Sequence, residues 1–249
     1  MFIIFEGVIY VERLQKKIAS LGYCSRRHAE ELITKGLVEV NGEVVTKLGS
    51  TVKPGDIIIV EGNILDNNKS YEYYLLNKPK GVVTTTNDDK DRTTVIDLID
   101  TTSRIYPVGR LDYDTSGILL LTNDGNLANL LMRPDSLVDK KYVVKVKGEV
   151  HISDVQKLRN GIYIDGIKTK KAKVKLKSVD KKKSTSILEI TIHEGKNHQI
   201  KKMFSLLGYE VIKLRREEYA NLNLKGLRPG EYRPLSVKEV KVLYSLCKK

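Results

Sequence analysis

The sequence predicts an α+β protein with two domains, the larger of them built on a mostly antiparallel mixed sheet. A chain of 249 residues is long enough for a small domain followed by a medium-sized one. Its strand patterns come in runs, without the regular strand and helix alternation of parallel sheets. A polar, turn-rich stretch at 63–70 predicts a linker between an N-terminal domain at 12–62 and a larger domain at 71–240.

The N-terminal domain begins with two helix patterns and continues with short strands. The first helix starts at residue 12 and ends at Gly22, where glycine supplies a stop. Ser25 is an N-cap for a second helix that ends at Gly36. The Asn41-Gly42 pair between two apolar runs predicts a two-residue hairpin turn, and a last strand follows at 57–60.

The larger domain contains more strands than helices. Its alternating and apolar runs predict strands at 73–76, 117–121, 141–147, 171–179, 187–193 and 209–214. Its helical periodicities predict helices at 94–99, 126–132, 152–160 and 197–207. Asn197 is the expected N-cap of the last helix.

The charge balance points to a polyanionic partner. Lys and Arg number 44 against 31 Asp and Glu, a formal net charge of +13, and clustered cations gain affinity by releasing counterions from phosphates. Nucleic acid is the first expectation and an anionic membrane surface the second. Cys24 and Cys247 suggest neither a disulfide framework nor a zinc site, so a reducing cytoplasm is expected.

The apolar start of the chain fits neither a signal peptide nor a membrane span, because it lacks a basic flank and is interrupted by Glu6. Residues 1–10 are therefore expected to be an extension with little functional role. No later stretch approaches the length of a membrane span.

Two basic features are candidate RNA contacts. Arg26 and Arg27 start the second helix, where the dipole disfavours cations, so with Ser25 they suggest a corner that binds an external phosphate. The alternative is a solvated basic face. Lysines alternate with apolar residues along 171–177 and continue at 181–183, which is typical of a soluble strand face but can attract RNA collectively.

The segment 109–125 predicts an active-site loop followed by a buried strand. It places Asp112 beside Arg110, and a neighbouring guanidinium favours the ionised form of a carboxyl group. The apolar run 118–121 would hold that loop against a sheet. The alternative is an ordinary turn, for which Asp, Asn and Gly suffice.

These segments resemble those of known RNA-modifying enzymes. Residues 109–125 resemble the signature of pseudouridine synthases of the RsuA/RluB group, and similar motifs occur at 76–81, 140–144 and 194–204. Residues 12–62 resemble the small S4-type RNA-binding domain. Within the group, the chain is more similar to the large-subunit, RluB-like branch.

The resemblance implies roles for individual residues. Asp112 would be the essential carboxylate, Tyr142 would stack on the flipped uracil and relay a proton, and Lys201 would keep Asp112 ionised. Many relatives carry Arg in place of Lys201, and Lys supplies the charge without the planar fork. His198 is expected to be structural or RNA-facing rather than an acid or base. The expected substrate-binding residues are Asn77, Lys78, Arg110, His198 and Gln199. The expected RNA-binding residues are Ser25, Arg26, Arg27, Lys202, Arg215 and Arg216.

The expected function is isomerisation of a uridine to pseudouridine in ribosomal RNA, with 23S RNA of the large subunit as the first candidate. The alternatives are the same chemistry on 16S RNA, or a noncatalytic ribosome-associated RNA-binding protein. A DNA-binding regulator is a weaker alternative, because no recognition helix stands out. The expected partner is ribosomal RNA or a precursor of a ribosomal subunit. No cofactor, metal or membrane is implied, and the protein is expected to be a cytoplasmic monomer.

Overall fold

The computed structural model describes residues 11–66 and 70–247. The predicted extension at 1–10 lies outside these residues. The chain forms two compact units. One reaches to Tyr71 and includes Thr102–Arg104, and the other contains Glu72–Thr101 and the residues from Ile105 onward.

The first unit packs two helices against short strands around its own core. Ser25 caps the second helix as predicted, because its Oγ accepts a hydrogen bond from the backbone N–H of His28 at 3.1 Å. Its strands form one sheet in the order β3-β2-β5-β6 and a separate β1-β4 pair. The elements are β1 (Glu12–Arg13), α1 (Leu14–Ser20), α2 (Arg26–Thr34), β2 (Val38–Val40), β3 (Glu43–Val44), β4 (Thr51–Val52), β5 (Ile58–Val60) and β6 (Asn63–Ile64).

Two boundaries predicted for this unit are wrong. Glu12–Arg13 pair with β4 as a strand, so the helix begins only at Leu14. Asn63–Ile64 pair with β5, so the first two residues of the predicted linker belong to the sheet. In both cases a partner distant in sequence supplies the backbone hydrogen bonds.

The second unit is built on a large mixed sheet that is antiparallel except at one junction, which confirms the predicted fold class. The strand order is β13-β14-β10-β15-β9-β7-β17, with β16 on β15 and β8 on β9. The elements are β7 (Tyr73–Lys78), β8 (Tyr106–Val108), β9 (Ser116–Thr122), α3 (Gly125–Met132), β10 (Lys140–Lys147), α4 (Ile152–Asn160), β11 (Tyr163–Ile164), β12 (Ile167–Lys168), β13 (Lys173–Asp180), β14 (Thr185–Ile192), α5 (Gln199–Ser205), β15 (Val211–Tyr219), β16 (Leu222–Asn223), β17 (Tyr232–Pro234) and α6 (Val237–Leu246).

The central strand β9 is buried on both faces, which explains its unbroken apolar run. Leu119 and Leu121 belong to the core that also contains side chains of α4 and α5. Ile118 and Leu120 belong to a second core, with side chains of α3 and α6. Successive residues of a strand point to opposite faces, so β9 separates the two helix pairs.

The parallel junction between β9 and β15 depends on Gly117. Gly117 pairs with Arg216, and a Cβ atom on Gly117 would lie 2.1 Å from the Arg216 carbonyl oxygen. Its φ of +113° is also a conformation that favours glycine. The junction joins two antiparallel halves of the sheet, β7 with β9 on one side and β10 with β15 on the other.

Three predictions for the second unit are wrong or incomplete. The predicted helix at 94–99 is absent, because the Val95 N–H bonds to the Val83 carbonyl oxygen and Val95 is fully buried. Asn197 does not cap α5, since His198 occupies the N-cap position with a left-handed φ of 52°. Helix α6 was not predicted, although the capping box formed by Ser236 and Glu239 is a readable start signal. None of the described helices has the length and apolar character needed to cross a bilayer.

Candidate active site

Asp112 lies in a tight loop between β8 and β9. The Thr115 N–H bonds to the Asp112 carbonyl oxygen at 3.0 Å, and the Thr84 hydroxyl donates to the preceding carbonyl, that of Leu111, at 2.7 Å. The Asp112 side chain keeps 31% of its area exposed. The loop backbone is therefore fixed while the carboxylate remains accessible.

The buried ammonium group of Lys78 binds the backbone of this loop. Its side chain is fully buried, and Nζ donates to the carbonyl oxygens of Pro79 at 3.0 Å, Asp112 at 3.2 Å and Thr115 at 3.0 Å. Burial lowers the pKa of Lys78 to about 8, although the charges of Asp112 and Asp114 oppose that shift. Lys78 was expected to bind substrate directly, but the structure uses all three of its donors to shape the loop.

Lys201, on α5, is shared between two carboxylates. Its Nζ lies 2.9 Å from Oδ2 of Asp112 and 2.6 Å from Oδ1 of Asp114. Burial opposes the charge of Lys201, but the hydrogen bonds that it donates to both carboxylates raise its pKa above the usual value. The hydrogen bond from Lys201 in turn lowers the pKa of Asp114. Lys201 is thus held charged between the two acids.

His198 completes the group around Asp112. Its Nδ1 lies 3.2 Å from Oδ2 of Asp112, and its side chain is about half exposed. The left-handed backbone at His198 turns this side chain toward the carboxylate at the start of α5. Asp112 therefore faces an ammonium and an imidazole from one helix end.

Gln199 fixes the loop that precedes α5 and is itself buried. Its Nε2 donates to Oε1 of Glu194 at 2.7 Å, and its Oε1 accepts from the Lys196 N–H at 3.0 Å. The expected substrate contact of Gln199 is therefore replaced by a structural one, because both ends of its amide are already bonded. Asn77 is also buried, and its Nδ2 donates to the Leu227 carbonyl oxygen at 2.9 Å.

Tyr142 lies in the same row of the sheet as three other residues that matter for the site. Cross-strand pairing connects Lys78 to Gly117, Gly117 to Arg216, and Arg216 to Tyr142. The Tyr142 side chain is mostly buried, and the Arg216 guanidinium lies 6.0 Å from the centre of its ring. The row places Tyr142 two strands away from Gly117, the residue that follows the Asp112 loop by one position of β9.

Arg216 was expected to contact RNA phosphates, and its position contradicts this. Only 3% of the residue is exposed. Its Nε donates to the Ile118 carbonyl oxygen at 2.7 Å, and its guanidinium lies 5.0 Å from the centre of the Tyr219 ring. Arg216 therefore joins β15 to β9 and supports the ring of Tyr142.

Other expected RNA contacts lie at the surface with different partners. Arg110 is exposed and makes no ion pair with Asp112 or with any other described residue, so Lys201 and His198 replace it as the neighbours of the acid. Lys202 pairs with Asp165 at 2.6 Å. Arg215 is partly exposed, with Nε 3.1 Å from Glu217.

In the first unit, Ser25 caps α2 while Arg26 and Arg27 are exposed at its first turn. The binding of a phosphate at this helix start stays a prediction. Over the described ranges no cluster of His, Cys, Asp and Glu has a metal-binding arrangement.

The sequence interpretation missed Asp114 and Thr84. Asp114 shares Lys201 with Asp112, and Thr84 bonds to the backbone beside the acid. Asp114 stands two residues after Asp112, and this spacing was a readable signal that both acids could share Lys201. Thr84 gave no such signal, because its contact depends on a loop distant in sequence.

Comparisons with known proteins match both units of the chain. A family model described as RNA pseudouridylate synthase matches residues 72–206, and one described as S4 domain matches residues 12–58. The chain is 54% identical over 237 residues to ribosomal large subunit pseudouridine synthase B of Bacillus subtilis (strain 168), covering 95% of this chain and 97% of that protein.

Two further relatives extend the likeness. The dual-specificity RNA pseudouridine synthase RluF of Escherichia coli (strain K12) is 38% identical over 236 residues, covering 94% of this chain and 79% of RluF. A crystal structure of a pseudouridylate synthase is 32% identical, with a TM-score of 0.66, covering 93% of this chain and 99% of that one.

Proposed function

Because the chain belongs to the RNA pseudouridylate synthase family and carries an S4 domain, we propose that it isomerises a uridine of large-subunit ribosomal RNA to pseudouridine. The relative from Bacillus subtilis carries the large subunit in its name and matches nearly the whole chain. We assign RNA binding to residues 12–62 and catalysis to residues 71–240. With this substrate, the partner of the protein is ribosomal RNA or a precursor of the large subunit, and the protein acts in the cytoplasm.

The observation that carries the proposal is the partly exposed Asp112 carboxylate beside the Lys201 ammonium at 2.9 Å. A carboxylate that must react at neutral pH has to be ionised, aligned and open to substrate. The contact with Lys201 aligns the carboxylate, and the exposed fraction of the side chain leaves it open to substrate.

The reaction breaks the bond from ribose C1′ to uracil N1, turns the base, and joins C1′ to C5. The C5 proton is lost and N1 gains a proton, so the product is an isomer of the substrate. Asp112 starts the sequence either by attacking C1′ or by taking a proton from the sugar. Tyr142 stacks on the base and is the candidate to relay the C5 proton.

The target uridine must leave its stack to reach Asp112, which costs a few kcal/mol. Arg110 is the candidate to occupy the vacated space, since it is exposed on the same loop. The exposed Arg26 and Arg27 would hold RNA phosphates at the other domain.

Mapping pseudouridine in ribosomal RNA tests the proposal. Cells lacking the protein should lose one position in 23S RNA, which the natural chain restores and Asp112→Asn does not. A position lost from 16S RNA would overturn the large-subunit assignment. Restoration by Asp112→Asn would overturn the assigned catalyst.

A further inference from the structure

Away from the part that α3 and α6 cover, one face of the sheet in the second unit is partly exposed and strongly basic. Along β14 and β10 the side chains alternate between buried and partly exposed, so residues of one parity face away from the core. Cross-strand pairing aligns the outward residues of β13, β14, β10 and β15 into rows. The cations of this basic face are Lys141, Lys145, Lys147, Lys173, Lys175, Lys213 and Arg215.

Acidic residues neutralise only part of this face. Lys141 pairs with Glu218 at 3.1 Å, and Lys173 with Asp139 at 3.3 Å. Glu189 lies in the middle of the face and pairs with Lys177. The cations without an ion pair or side-chain hydrogen bond to the described residues are Lys145, Lys147, Lys175 and Lys213.

The pairing of Lys145 with Lys213 points to an external anion. The two lysines are direct cross-strand partners on β10 and β15. Like charges directly opposite each other on a sheet are destabilising. A phosphate between them would turn that repulsion into attraction, because both ammonium groups would then contact the same anion.

The shape of the face favours a nucleic-acid duplex over a single strand. Four strands span about 14 Å at the usual strand spacing, and eight-residue strands run roughly 25 Å. The outward residues between the lysines include Val143, Ile187 and Thr191, and the described part of the face carries no aromatic side chain on which an unpaired base would stack. Isolated ammonium groups on a flat surface suit the phosphates of a double helix.

We infer that the basic face binds a double-helical segment of ribosomal RNA, separate from the loop that carries Asp112. The choice of RNA rests on the proposed function, while the anionic character of the partner rests on the charges. The face lies opposite the core that α4 and α5 cover, whereas Lys201 projects from α5. One RNA would thus be held on the sheet while its target uridine enters the site elsewhere.

The test compares two sets of charge removals in the full-length protein. The first is Lys145→Gln with Lys175→Gln and Lys213→Gln on the basic face. The matched control is Lys225→Gln with Lys238→Gln and Lys241→Gln, three exposed lysines elsewhere on the same unit. Glutamine keeps a long polar side chain, and thermal unfolding of both variants should match that of the natural chain.

Binding to a synthetic 20-base-pair RNA duplex is measured at several salt concentrations. Loss of three phosphate contacts should weaken binding by about ten-fold and reduce the slope of log K against log salt by about 2 to 3. The control should change both quantities much less. Equal losses in both variants, or no loss on the basic face, would overturn the inference.

A second measurement separates RNA from a protein partner. If the basic-face variant binds duplex RNA normally but binds assembled large subunits poorly, the face recognises a ribosomal protein and the inference is wrong. Pseudouridine formation on 23S RNA is followed in parallel. If the natural chain forms no pseudouridine, the proposed function is wrong, but the duplex-binding measurement still tests the inference about the basic face.

Discussion

Lys201 lies closer to Asp114, at 2.6 Å, than to Asp112, at 2.9 Å. One cation thus serves two acids whose side chains differ in exposure, 64% for Asp114 and 31% for Asp112. The shorter contact belongs to the more exposed acid, so distance alone does not identify the reactive one. The arrangement itself suggests how to separate their roles.

Replacing each acid by its amide should distinguish them. Asp112→Asn should lower turnover by at least 10³-fold, in the upper range for removal of a positioned acid or base. Asp114→Asn should keep turnover within about ten-fold, because Lys201 still has Asp112 as its partner. Single-turnover pseudouridine formation on 23S RNA is the measurement, and the reverse ranking would transfer the catalytic role to Asp114.

Removing Lys201 should affect turnover more than RNA binding. Lys201→Ala leaves Asp112 without its ammonium neighbour and should cost about 10²-fold in turnover, comparable to loss of one electrostatic group in an active site. Lys201→Arg should recover most of that loss, because a guanidinium fork can bond to both carboxylates. Paired measurements of kcat and of RNA affinity check this. An intact turnover with lost RNA binding in Lys201→Ala would refute the role.

Tyr142→Phe separates the ring of Tyr142 from its hydroxyl. The ring packs in the core beside Arg216 and should remain in place, so the free energy of unfolding should change little. The hydroxyl has no hydrogen bond to the described residues and is available for proton transfer. Turnover should fall by about 10²-fold with unchanged RNA affinity. Unaltered turnover would limit Tyr142 to stacking and packing.

The buried Lys78 should make stability depend on alkaline pH. Its folded-state pKa is about 8 against an ordinary value of 10.5. Between these values the unfolded chain holds a proton that the folded chain has released, so stability rises with pH. The natural chain should gain about 2 to 3 kcal/mol relative to Lys78→Met from pH 7.5 to pH 10.

Urea denaturation of both proteins across that range gives the difference. The comparison removes the contribution of Lys140, whose pKa burial also lowers to about 8. A constant difference between the two proteins would mean that Lys78 keeps its proton in the folded state.

Gly117→Ala tests the junction between the two halves of the sheet. The new methyl group would collide with the Arg216 backbone, and the positive φ adds strain, so about 3 kcal/mol or more of stability should be lost. Gly195→Ala is the control, because nothing lies within 4 Å of its Cβ position. Chemical denaturation measures both, and equal midpoints would contradict the close approach.

Sequence reasoning succeeded where the signal was local. Ser25 caps its helix through a bond three residues away, and the Asn41-Gly42 turn lies between two paired strands. It failed at 94–99, where the Val95 N–H bonds to the Val83 carbonyl oxygen, twelve residues earlier, and not to a carbonyl within one helical turn. Periodicity alone does not contain such tertiary contacts.

The candidate site shows the same division. The motif around Asp112 and the cation at 201 were readable, and they lie together in space. The burial of Arg216 and the internal bond of Asn77 were not readable, because each depends on a segment brought near by the fold. The sequence of a motif does not show whether a polar residue contacts the substrate or bonds to the protein itself.

The parallel junction between β9 and β15 also affects the order in which the chain can fold during synthesis. Each antiparallel half can pair its own strands, whereas the junction forms only when two strands that are distant in sequence come together. Asp112 precedes β9 and Lys201 precedes β15, so the acid leaves the ribosome well before its counter-charge. A nascent or half-unfolded chain therefore holds Asp112 without Lys201, and this ion pair forms only with the finished sheet.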